Sequence, residues 1–181
     1  MNDSPDRRVQ KTRSALLSAF LELLLEVGYD KLNVAGVAAL ANVGRSTCYE
    51  HYRTKRDLLK ASVSVPFARL ADLADPQANH SLLPGILRHF REQNHLARAL
   101  LNGPPRPIMS TVLAGLILER LKKRGLKNLL IAPEIMARQL ADAQLALLEV
   151  WVVGRPACEL ESMVQALQRT TNALIDSLFA T

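Results

Sequence analysis

The chain has 181 residues, 49% apolar and 22% charged, with an aromatic share of only 4%. That length can bury a substantial core, and the composition excludes global disorder and favours aliphatic helix packing. A formal charge of +6 suits a polyanionic partner without naming one, and ten Lys/Arg against seven Asp/Glu in the first 60 residues make the N-terminal third the denser in net charge.

Met1 to Arg13 opens acidic and polar, and no apolar run reaches about 18 residues, so neither an export signal nor a membrane span is expected. Cys48 and Cys158 stand apart, without metal-ligand spacing or a Cys/His cluster. No metal site and no disulfide framework follow, and a reducing cytoplasm is the simpler reading.

From Val9 onward, Val9, Leu16, Phe20, Leu23, Leu24 and Val27 share one helical face, and Leu17, Leu21 and Leu25 form a second stripe beside it. This predicts a first helix buried on two sides and ended by Gly28 as a left-handed C-terminal residue. Asn33 caps a short second helix whose apolar face is Val34, Val37, Ala38 and Ala41. Asn42-Val43-Gly44 reads as a tight turn, and Arg45 to Tyr52 as a third short helix with Cys48, Tyr49 and Tyr52 to one side. Two short helices across such a turn make a helix-turn-helix, here from Asn33 to Tyr52.

Thr54 and Asp57 have the spacing of a capping box ahead of Leu58-Leu59 and open a fourth helix, expected to reach about Ala74 with a bend near Pro66. Proline and glycine then divide the remainder into helices of 82 to 102, 107 to 124, 133 to 153 and 157 to 179. In the last, Leu160, Val164, Leu167, Thr171, Leu174 and Leu178 alternate by four and three; Met136, Leu140, Ala143, Leu147 and Val150 do so in the helix before. Two long helices apolar on more than one face predict a four-helix homodimer interface, in which Leu140, Leu147, Trp151, Leu160, Val164, Leu167, Leu174 and Leu178 take part. The fold class expected is all-α: an N-terminal three-helix head with the helix-turn-helix at 1–56, and a helical dimerisation domain at 57–181.

The stretch Thr12 to Leu59, above all Leu40-Ala-Asn-Val-Gly-Arg-Ser-Thr-Cys-Tyr-Glu-His-Tyr-Arg-Thr-Lys-Arg-Asp-Leu-Leu59, resembles the DNA-binding domain of TetR-family repressors. That family shows an Ala-Gly-Val-Ser turn, a Thr-Leu-Tyr-x-His-Phe recognition helix and a Ser/Asn-Lys-x-x-Leu start to helix four. The resemblance implies that Arg45, Ser46 and Thr47 face base edges in the major groove, where an arginine can bind guanine O6 and N7. It implies phosphate contacts for Tyr49, His51, Thr54 and Lys55, with Arg7, Arg8, Lys11 and Arg13 as a basic arm.

Plainer readings stand beside these: Arg45 as a solvated residue, Tyr49 as a core tyrosine, His51 as a packed or surface histidine, the arm as a frayed tail. Asn42 stands where the family commonly has glycine, and asparagine tolerates the left-handed conformation. Ala35 stands where some relatives carry a polar or basic DNA-reaching residue. Cys48 replaces a leucine, as a small buried hydrophobe or a redox-sensing thiol.

The resemblance further implies an effector pocket among helices four to seven, with an unknown small-molecule effector and no cofactor. Arg88, His89, Arg91 and His95, with Arg98, cluster on the helix of 82 to 102 and could meet an anionic effector, although a charge cluster is usually a solvated face. The expected function is a sequence-specific, ligand-responsive repressor binding a palindromic double-stranded operator as a homodimer. The alternative is a helical dimeric interaction module that serves a protein partner and has no specific operator. No paired carboxylates, nucleophile-base pattern or glycine-rich phosphate loop supports catalysis, so no catalytic residues are assigned and an enzyme is not expected.

Overall fold

The computed structural model describes residues 5–125, 129–155 and 157–178, and the described residues are helical almost throughout. They divide into two compact units whose boundary falls between Val63 and Ser64.

In the first unit, α1 runs Pro5–Lys31, α2 Val34–Leu40, α3 Arg45–His51, and α4 begins at Lys55. Leu16, Ala19, Phe20 and Leu24 of α1 are buried with Val34, Val37 and Ala38 of α2, Cys48 of α3 and Leu58, Leu59 and Val63 of α4. Burial of α1 is one-sided, contrary to the expectation from its two stripes. Leu17 and Leu21 are only half-buried, and Leu25 is 52% exposed where Leu24 is 2%. Three short helices offer one apolar seat, which the stripe through Leu16, Phe20 and Leu24 occupies. Gly28 has the positive φ expected of it, 77°, but its ψ of 162° lies outside the left-handed helical region, and one further turn follows to Lys31.

Asn33 caps α2, its side chain accepting from the Gly36 amide at 2.9 Å. Asn42 takes φ 52°, so the turn into α3 is built on a left-handed asparagine. Thr54 and Asp57 close a reciprocal capping box: the Thr54 amide and hydroxyl donate to Asp57 Oδ2 at 2.9 and 2.8 Å, and the Asp57 amide donates to Thr54 Oγ1 at 3.1 Å. Helix α4 ends at Ala71, with Pro66 inside it, and a 3-10 turn covers Asp72–Ala74.

The second unit is formed by α5 (Leu83–Glu92), α6 (Asn94–Leu101), α7 (Arg106–Arg124), α8 (Pro133–Val153) and α9 (Leu160–Ser177). The single helix expected over 82–102 is two, broken at Gln93, whose φ of −95° and ψ of 42° leave helical geometry. Helix α8 packs against α6, α7 and α9, and α9 also against α5 and the 3-10 turn. The buried Asp72 carboxylate accepts from Arg120 at 2.9 and 3.1 Å and from Arg69 at 3.2 Å, so its charge is compensated. Gln144 Nε2 donates to Thr171 Oγ1 at 3.1 Å, tying α8 to α9 through two buried polar side chains.

This packing corrects the assignment of interface residues. Leu140, Trp151, Val164 and Leu167 are buried inside the single chain and have almost no surface left for a second copy. Within the two four-three series, Met136, Leu140, Val164, Leu167 and Thr171 are already covered by the chain's own helices. Leu147 and Leu174 instead line an open trough with Ala143, Thr170, Ala173 and Ser177, beside which Val150 is exposed. Leu160 and Leu178 are half-buried.

Replacing Leu24 with Ala is expected to lower the unfolding free energy by about 2–5 kcal/mol, whereas Leu25→Ala should stay within about 1 kcal/mol. Urea unfolding of the two variants measures this. Equal losses would contradict the one-sided burial of α1.

Candidate nucleic-acid interface

A seven-residue helix can be held by very few side chains, and α3 has a single buried one. Cys48 is fully buried, its thiol pointing to the Val34 carbonyl at 4.0 Å. At about 100° per residue, Ser46 and Glu50 stand farthest round the helix from that anchor; Arg45, on the anchor's side but at the first residue of the helix, and Tyr49 are exposed with them. Thr47 and His51 lie at the margins, half-buried. Tyr49 is therefore not on one side with Cys48 and Tyr52 as the spacing suggested: it is 46% exposed, and Tyr52 is half-buried.

Several expected contacts converge. Arg45 and Ser46 begin the helix, Thr47 and Tyr49 follow on it, and the exposed Thr54 starts the next one three residues after His51. The His51 and Tyr52 rings lie 6.3 Å apart. Burial pushes the Tyr52 phenol up in pKa, with the Arg13 charge of α1 pulling the other way. Arg7, Arg8, Lys11 and Arg13 are exposed, and they stand on the first turns of α1. Ala35 is half-buried on α2 and presents no polar group.

Lys55 does not join the outward set. Its ammonium donates to the carbonyls of Tyr29 at 2.8 Å and Asp30 at 3.0 Å and stands 4.7 Å from the centroid of the Tyr29 ring. Burial raises the Cys48 thiol above its usual range, which lowers its thiolate fraction and makes it a packing group. Glu50 was passed over in the sequence, although its spacing of four from Ser46 marks the outward face. A carboxylate at that place can accept from cytosine N4 or disfavour a phosphate.

Arg88, His89, Arg91 and His95 are all exposed and are divided between α5 and α6. None is turned into the core. The Arg91 guanidinium lies 5.5 Å from the Trp151 ring, and Arg98 donates to the Val152 and Val153 carbonyls at 3.4 and 3.0 Å, closing the end of α8. Among the described residues no group of three His, Cys, Asp or Glu is placed to hold a metal, and no helix is long and apolar enough to cross a membrane.

Residues 16–62 match the model of the bacterial regulatory proteins, tetR family. Over 68 residues the chain is 37% identical to the uncharacterized HTH-type transcriptional regulator YxbF of Bacillus subtilis, covering 37% of this chain and 18% of that protein. Over 63 residues it is 38% identical to the DNA-binding transcriptional repressor TetR of Mycobacteroides abscessus, covering 34% of this chain and 33% of that one. The alignments thus span between a sixth and a third of these curated relatives. The crystal structure of a TetR transcriptional regulator from Streptococcus agalactiae 2603V aligns over 92% of this chain and 96% of its own with a TM-score of 0.57 and 29% identity.

The cap at the start of α4 gives this site a pH signature. The Thr54 hydroxyl, against a smaller opposing effect of burial, holds the Asp57 carboxyl below its ordinary 3.8. A carboxyl lowered on folding stabilises the fold above its unfolded pKa, and that contribution is lost as pH falls through the folded value. Thr54→Ala should cost about 0.5–2 kcal/mol at neutral pH, and the gap to the parent should narrow below about pH 4. Thermal unfolding across pH measures both; a gap that widens in acid would contradict the cap.

Proposed function

We propose, from the match of residues 16–62 to the tetR family of bacterial regulatory proteins, that the chain is a sequence-specific DNA-binding transcriptional regulator. On this reading it is a ligand-responsive repressor that binds a palindromic double-stranded operator as a homodimer. The observation that carries the reading is the exposure of Arg45, Ser46 and Tyr49 on a helix whose one buried side chain is Cys48. A helix held by its back through one small side chain can lie in a major groove, about 12 Å wide, without disturbing its own seat.

Arg45 is the principal base reader. Ser46 and Thr47 assist at base edges, and Tyr49, His51 and Thr54 contact phosphates. Among the described residues the Arg45 side chain makes no ion pair or hydrogen bond, so no internal partner has to be given up when it meets guanine.

The second copy docks on the trough of α8 and α9 through Leu147 and Leu174, with Ala143, Ala173 and Val150 beside them. Apolar surface on two adjacent long helices is what a four-helix interface requires. The effector is a small molecule held in the second unit. It acts by favouring one separation of the two heads over another, and differential affinity for the two states is what couples it to DNA.

Selection of duplexes from a random pool by the full chain tests the reading. It should recover an inverted repeat with half-sites one helical turn, about 34–36 Å, apart. Arg45→Ala should lose about 1–3 kcal/mol of discrimination at one base pair per half-site. Recovery of no preferred duplex would instead favour a protein-binding module. Leu174→Glu places a charge in the trough and should give a folded monomer by sedimentation, with weakened binding to the recovered repeat; a dimer of unchanged affinity would exclude this face.

A further inference from the structure

On the DNA-binding reading just given, we infer that Lys55 is a positioning residue that fixes the pose of α3 by tying the start of α4 to the end of α1, and that it neutralises no phosphate. A lysine ammonium has three N–H donors. Two of the three go to the Tyr29 and Asp30 carbonyls at 2.8 and 3.0 Å, and the ammonium stands over the Tyr29 ring at 4.7 Å, so it is held at the end of α1. The acceptors are carbonyls of the last turn of α1, which ends at Lys31, where backbone oxygens lack helical partners and the helix dipole favours a cation.

What the tie controls follows from the chain between the helices. Helix α3 ends at His51, the Tyr52 amide still bonds to the Cys48 carbonyl at 2.8 Å, and only Arg53 and Thr54 separate that point from Lys55. Within α3 only Cys48 is buried, so the helix has one anchor of its own. The Thr54–Asp57 box holds α4 to itself and reaches no other helix. Lys55 supplies a second fixed point a short step beyond α3, on the same α1 that carries Leu16, Phe20 and Leu24 into the core around Cys48. Two points fix the direction of a short helix where one leaves it free to swing.

The test compares Lys55→Met, which keeps the stem and removes charge and donors, with Lys55→Arg, which keeps both. Probes are the duplex recovered from the random pool and an unrelated duplex of equal length, titrated at several salt concentrations below the unfolding transition, with binding normalised to folded protein. Lys55→Met should bind the recovered duplex about tenfold more weakly, bind the unrelated duplex nearly as the parent does, and keep the parent's dependence of log affinity on log salt. Lys55→Arg should restore the preference, and amide exchange at 29–32 and 45–52 should speed up in Lys55→Met alone.

Weaker binding to both duplexes, with a salt slope smaller by about 0.9 for each lost contact, would make Lys55 a phosphate ligand and overturn the inference while leaving the DNA-binding reading intact. An unchanged preference with faster exchange would make the tie merely structural and overturn it likewise. If the parent chain itself prefers no duplex, the DNA-binding reading fails, and the positioning role falls with it.

Discussion

The burial of Cys48 against α2 is the constraint on which the candidate site depends. Helix α3 spans Arg45–His51, too short to be stable alone, and its orientation is whatever its contact with the head imposes. With position 48 turned in, the helical rotation carries Ser46 and Glu50 to the far side, and Arg45 and Tyr49 are exposed beside them. The turn that brings α3 to that seat needs a left-handed residue, which Asn42 supplies at φ 52°. The chemistry proposed for the site is thus a consequence of one small apolar contact and one permissive turn residue.

Much of the head was legible because its signals are local. Asn33 as cap, Asn42 in the turn and the Thr54–Asp57 box each depend on residues within a few positions, and the structure has all three. What was not legible depends on partners far along the chain. The second stripe of α1, through Leu17, Leu21 and Leu25, has the same periodicity as the first, and only the number of neighbouring helices decides which stripe is covered. Lys55 matches a phosphate-contact position in the resemblance, yet its carbonyl partners lie 25 and 26 residues earlier, beyond any local pattern.

The second unit repeats that lesson with larger helices. Proline and glycine punctuation located α7, α8 and α9 to within a few residues, but periodicity could not say which apolar positions serve the chain's own core. Leu140, Trp151, Val164 and Leu167 serve it, and Leu147 and Leu174 remain at the surface. Buried polar groups refine the picture, since Asp72 with Arg120 and Gln144 with Thr171 pin particular helix registers that oily side chains alone leave loose. The break at Gln93 had no proline or glycine to announce it.

Interference by methylation at guanine N7 on a recovered duplex is the most direct measurement of whether the outward face of α3 reads base edges. The account predicts one sensitive guanine in each half-site for the parent chain, and loss of that sensitivity in Arg45→Ala while the remaining contacts persist. An identical interference pattern for parent and variant would contradict it.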